Sequence, residues 1–373
     1  MIENTRPCES KAFGLEFYSQ LIGKGHLPPD EIHNHVTRDD DKVIFKDIVF
    51  DDEILFEQVL DNPCNYRKHM EIINCVFTRD VFIDKKFDSL VIDGCCFEGK
   101  FYINKQYNAK EKQVNFDKLS LKNTKFHGNF KLHNVELKDF TLQDVDFERN
   151  ADFFKTKFLT SDKIVFHAVN FRALALFGDT VFKEHLLFEY VTFEGYSHFR
   201  KAVFKKGLNL EYANIEKEMN FFGITGLDEQ ASRAETSRET YRTVKYQLQK
   251  VGNIIDANKY HALELDKKRQ AACFKMCESW SDFADCMVLL VHKASSNYST
   301  NWTIAFGWIV VVGLATSYCL TGMLWNQEFY IYSSVLTSFE DFNGTYWLFI
   351  LNKILLGYLY YQFVTAVRKD TRK

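Results

Sequence analysis

Proline is scarce in this chain of 373 residues, occurring only at Pro7, Pro28, Pro29 and Pro63. More than 300 residues then pass without one. That suits long hydrogen-bonded ladders and helices, because proline removes a backbone donor from either. A surplus of positive charge is lacking too: the formal net charge is −3, so no global basic field recruits nucleic acid. The first 30 residues contain no basic start followed by an apolar core, so no secretory signal is expected. The nine cysteines follow no recognisable disulfide framework. In a chain without such a signal they are expected as reduced, mostly buried thiols. A cytoplasmic location is the expectation for the soluble part.

What is abundant is phenylalanine, with 36 residues, and it is periodic. One series recurs every 11 positions: Phe166, Phe177, Phe188, Phe199, Leu210, Phe221. A second runs five residues behind it, as Phe171, Phe182, Phe193, Phe204, Ile215, so the spacing alternates five and six. Upstream the period is nearer five, as in Phe116, Leu121, Phe126 and in Leu132, Leu137, Leu142, Phe147. Neither a helix of period 3.6 nor a strand of period 2 sustains this. A square coil does, with one large side chain sent inward from each short side and stacked coils burying a continuous ladder. Ala175, Val191, Ala202 and Ala213, two residues before several large ones, fit beside them. An ordinary β-sandwich would need turn signals every 8–12 residues, and few are present.

Runs such as Val191-Thr192-Phe193, Ala202-Val203-Phe204 and Ala213-Asn214-Ile215 resemble the pentapeptide-repeat family. The resemblance implies a quadrilateral β-solenoid over residues 42–225. The inserted sixth residue and Phe in place of Leu depart from the family pattern. Residues 1–41, with Phe13, Phe17 and Leu21, are expected to cap the open end. Residues 104–115 are expected as a loop thrown out between coils.

Helical spacing takes over after Leu227, giving a helical neck over 226–300. Its last segment carries an amphipathic stripe of Trp280, Phe283, Ala284, Met287, Val288 and Val291. Such a helix lies at a membrane surface or packs on a partner helix, and its acidic polar face favours the partner. A two-helix transmembrane domain is expected over 301–373. Thr303 to Met323 holds no charge over 21 residues, about 31 Å of helix against a hydrocarbon core of about 30 Å. Tyr346 to Val367 forms the second span. The loop between them lacks Lys and Arg, whereas Arg368, Lys369, Arg372 and Lys373 follow the second span. The positive-inside rule then gives two passes of a bacterial inner (cytoplasmic) membrane with both termini cytoplasmic.

Catalytic motifs are sparse, and neither enzyme activity nor a cofactor is expected. His33-Asn34-His35 lacks a metal-binding context. Cys273 and Cys277 share a helix face without a second ligand pair, so helix packing is favoured over zinc. Cys95-Cys96 reads as a coil position with one thiol inward. The costly residue is Lys353, seven positions into the second span beside Asn352. It shares a helix face with Tyr360 and Val364, with Gly357 adjacent, while Asn352 and Gln362 lie on neighbouring faces. These six are the candidate pore-lining or intramembrane polar residues. Snorkelling to the interface is the alternative for Lys353.

Two functional classes remain open. One is an oligomeric channel, a tetramer among closed rings, with the second helix lining the pore and the solenoid as cytoplasmic sensor. Ser295-Ser296-Asn297-Tyr298 and Tyr361-Gln362-Phe363 with Arg368 resemble the tail of membrane-anchored pentapeptide-repeat proteins of bacteria, including the channel-like effector of Hailong-type anti-phage defence. That resemblance implies control by a nucleotide or oligonucleotide signal. The other class is a scaffold tethered to the lipid bilayer, its solenoid binding a protein partner. DNA mimicry wants an acidic surface, yet residues 113–222 carry 16 Lys/Arg against 15 Asp/Glu. No Thr-Val-Gly-Tyr-Gly filter lies between the spans, so potassium selectivity by that device is not expected.

Overall fold

The computed structural model describes residues 35–39, 42–55, 69–83, 88–104, 114–325, 329–342 and 344–371. Most of the expected cap, His33-Asn34, Cys8, Cys64 and most of the expected loop at 104–115 lie outside the described residues. The chain divides into two compact units, Met1–Thr240 and Tyr241–Lys373.

The first unit is a β-solenoid of about six turns over residues 69–220. Successive coils pair in parallel, with Ile164 beside Leu186 and Leu186 beside Leu208. That is 22 residues per coil, or two rounds of the five-plus-six spacing. The 11-residue series therefore alternates between opposite sides of each coil. Where the period is nearer five the coil shortens, and Met70 pairs with Leu90.

The inward side chains form columns, and one runs through Phe50, Phe77, Phe97, Phe126, Phe147, Phe171 and Phe193. Its neighbouring rings stack at centroid distances of 4.6–5.2 Å with planes within 11° of parallel. Phe153, Phe177, Phe199 and Phe221 form a second column, and Phe158, Phe182 and Phe204 a third. Aromatic pairs add about 0.5–1.5 kcal/mol each beyond burial. Ala175, Val191 and Ala202 are buried beside them, whereas Ala213 in the last coil is half-buried. Cys95 points inward and Cys96 is partly exposed.

The corners demand left-handed backbone. Asp47, Asn74, Gly94, Asn123 and Asp144 form one stacked column of positive φ, and Asn104, Asn134 and Asp179 belong to another. Asn, Asp and Gly tolerate this region best. At the start, Val36–Asp39 runs antiparallel on Lys42–Lys46. At the far end, helix α1 (Gln230–Glu235) and the residues after it cover the last coil. There Thr236 Oγ1 and Thr240 Oγ1 accept from the amides of Leu208 and Leu210, and Ser232 donates to Phe204 O. These hydroxyls satisfy a sheet edge that would otherwise template another chain.

The second unit is helical. It contains most of α2 (Arg238–Lys250), then α3 (Ile254–Phe274), α4 (Trp280–Ser296), α5 (Trp302–Thr321), α6 (Phe329–Ser333) and α7 (Tyr346–Thr371). Helices α5 and α7 are long and apolar enough to cross a membrane. They pack together through Ile309, Leu356 and Leu359.

Phe177 contacts both neighbours in its column and is fully buried. Phe177→Ala is expected to destabilise the solenoid by about 3–5 kcal/mol through the cavity it leaves. Urea unfolding followed by far-UV circular dichroism checks this.

Candidate functional site

Two polar clusters lie within the helical unit, one toward each end of the candidate spans. The first is built on a glycine. A Cβ at Gly313 of α5 would sit 2.8 Å from Ser333 Cβ and 2.9 Å from Phe329 Cε2, so only glycine admits α6 this close. Gly313 is eight residues from the end of α5, about 12 Å along its axis. Helix α6 and the irregular segment after it therefore turn back alongside the spans. The sequence reading had only a short loop here.

Helix α7 holds this re-entrant segment by its carbonyls. Asn352 Nδ2 donates to Tyr332 O at 3.1 Å and to Thr316 Oγ1 of α5 at 3.0 Å. Lys353 Nζ donates to Ser334 O at 2.7 Å, to Ile331 O at 3.3 Å and to Thr337 Oγ1. The rings of Phe342 and Phe349 lie 5.7 and 5.4 Å away. Tyr360 Oη donates to Ser333 O at 3.2 Å. An ammonium among apolar helices needs such a shell, and the carbonyl end of α6 offers it with favourable polarity. Leu336, by contrast, protrudes with 95% of its surface exposed.

The second cluster joins α4 to α7. Gln362 Oε1 accepts from Ser296 Oγ at 2.9 Å and Ser299 Oγ at 2.6 Å. Tyr358 Oη meets Ser295 Oγ at 3.1 Å, and Trp308 of α5 donates to Ala294 O at 2.9 Å. Between α4 and α5, Asn297, Tyr298 and Ser299 take φ of 48°, 61° and 58°. Three successive non-glycine residues in the left-handed region carry strain that surrounding contacts must hold. The buried Tyr298 supplies one such contact, donating to Asp266 Oδ1 of α3 at 3.0 Å.

Asp266 also takes Lys293 Nζ at 2.7 Å and Arg269 at 3.1 Å. Burial alone would raise its pKa, but the Lys293 ammonium and the hydrogen bonds from Arg269 and Tyr298 outweigh burial and lower it. Glu264 behaves likewise, with burial opposed by Lys245 and Arg242.

The six sequence candidates fall into two groups. Asn352 and Gln362 are buried inside the subunit, holding α6 and the α4–α5 junction. Lys353, Gly357, Tyr360 and Val364 form a stripe along the other side of α7. Val364 and Tyr360 are exposed, and a Cβ at Gly357 would meet nothing within 4 Å.

Two expectations for the neck are corrected. Cys273 and Cys286 form a disulfide rather than remaining reduced, because the α3–α4 hairpin brings their Cα atoms to 4.9 Å. Cys277 and Cys319 are exposed free thiols, not buried ones. Nor does the apolar stripe of α4 face its partner helix. Cys286 and Leu289 are the buried positions, and Asp285 pairs with Lys268 of α3 at 2.8 Å. Compared with protein-family models, curated proteins and solved structures, the chain matches none.

Gln362→Leu would leave two serine hydroxyls without their shared acceptor, and a loss of about 1–3 kcal/mol is expected. A lower melting temperature of the detergent-extracted protein, restored in Gln362→Glu by a carboxylate acceptor, is the readout. Asp266 gives a pH test. A lowered carboxylate pKa stabilises above the unfolded value of about 3.9 and is lost as pH falls through the folded value. The melting temperature should drop on acidification through the carboxylate range, and Asp266→Asn should flatten that drop.

Proposed function

We propose that this chain is one subunit of an oligomeric transmembrane channel, with α5 and α7 crossing the membrane and the solenoid acting as cytoplasmic sensor. One observation carries the reading. Irregular backbone is brought back about 12 Å alongside the spans, next to an open stripe of Lys353, Gly357, Tyr360 and Val364 on α7. Non-helical backbone at membrane depth is tolerated where it is buried in protein or lines a water-filled cavity. A plain anchor needs neither the loop nor the stripe. Two spans cannot enclose a path by themselves, so the stripe and loop face a shared axis between copies, a tetramer being favoured.

The biological setting comes from the sequence resemblance alone: bacterial anti-phage defence, with a nucleotide or oligonucleotide signal gating the assembly through the solenoid. The neck and its joint at Gln362 would carry that signal to α7. The runner-up is a membrane-tethered scaffold, favoured by the flat, regular faces of the solenoid.

The mass of the intact protein in nanodiscs tests the proposal, followed by ion flux in proteoliposomes. A closed ring with measurable flux is expected, and Lys353→Leu should change that flux because it releases the carbonyls of Ile331 and Ser334. A monomer would overturn the channel reading and leave the scaffold.

A further inference from the structure

We infer that α4 lies along the cytoplasmic headgroup boundary of the membrane, with Trp280, Phe283, Met287, Val288 and Val291 set into lipid. The inference rests on the reading that α5 and α7 span a bilayer, but not on whether they conduct. Its occupant is a lipid surface, and three observations lead to it.

The first is that α4 already has its protein partner. Cys286 is disulfide-bonded to Cys273 of α3, Leu289 packs with Ala262, and Lys268 neutralises Asp285. The side facing away from α3 is apolar for the length of the helix. Trp280 is 81% exposed there, and Phe283, Met287, Val288 and Val291 are exposed with it. The acidic side that argued against a membrane surface in the sequence is the side turned to α3.

Depth is the second observation. Arg368 is the first cation of the tail on α7. Gln362 precedes it by six residues and Tyr358 by ten, about 9 and 15 Å along the helix. Their partners are Ser296 and Ser295, in the last turn of α4. Trp308, six residues or about 9 Å into α5, binds Ala294 O from the other span. Three ties to two spans thus hold the end of α4 at or inside the cytoplasmic edge of the apolar zone.

The third is continuity. Only residues 297–301 separate α4 from α5, whose first turns expose Trp302, Ile304 and Phe306. A tryptophan at one end of an apolar face that joins a span at the other is the arrangement of an interfacial helix.

The test uses the full chain in nanodiscs of phosphatidylcholine and phosphatidylglycerol, with the exposed Cys277 and Cys319 changed to serine. Nitroxides are placed singly at Val288→Cys on the apolar face, Lys268→Cys on α3 and Val311→Cys in α5. Power saturation with oxygen and with a water-soluble nickel chelate reads each site. Val288 is expected to resemble Val311, oxygen-accessible and shielded from nickel, with a ratio several-fold above that of Lys268. Nickel access at Val288 with Val311 shielded would overturn the inference and leave the spans standing. Nickel access at both would overturn the spans as well. Dipolar broadening between Val288 labels, with neither quencher reaching them, would mean that a second copy covers the face and would overturn the lipid assignment. A parallel scan at Met287→Cys guards against a local folding defect at one position.

Discussion

Stacking of one ring on the next fixes the geometry of the solenoid. The phenylalanines from Phe50 to Phe193 meet their column neighbours at 4.6–5.2 Å, close to the 4.7–4.9 Å spacing of paired strands. A ring that stacks at that distance can do so only if successive coils are in register. The parallel ladder, the left-handed corners and the preference for Asn and Asp at those corners all follow from that register. Coil length can vary, from the 20 residues separating Met70 and Leu90 to the 22 separating Phe166 and Phe188. The columns cannot.

In the helical unit the governing demand is different. Polar groups set among apolar helices must find partners within the subunit, and here each finds them on a segment that would otherwise be loose. Lys353 and Asn352 bind the carbonyls after α6, while Gln362 binds the serines after α4. The same side chains that would penalise a simple anchor thereby give a short loop and a strained junction definite positions. Tyr298, buried with a left-handed backbone, links that junction to Asp266 in α3. One continuous polar path thus runs from the neck to the far part of α7.

The solenoid was legible because its signal is redundant: each side of each coil repeats the same instruction, and an error at one position is outvoted by its column. The two apolar helices were legible because length and lack of charge suffice. The re-entrant segment was not, since its depth is set by the absence of a side chain at Gly313, a long-range fact with no local periodicity. An apolar run from Phe329 to Leu336 between two spans was the available hint. Likewise the stripe on α4 was visible, but which way it faced depended on Cys286 and Leu289 meeting α3. The wheel correctly grouped Lys353 with Gly357, Tyr360 and Val364, yet it could not foresee that Asn352 and Gln362 turn inward.

The coil also sets the grain at which this chain can change. Between Ile164 and Phe221 each coil has the same 22-residue length and the same inward set, so a duplication or loss of one whole coil's coding length leaves every column in register. A shift of a single residue moves all later inward positions out of theirs. Genetic tolerance in this region should be quantised, with heredity adding or removing turns of a screw more readily than single amino acids.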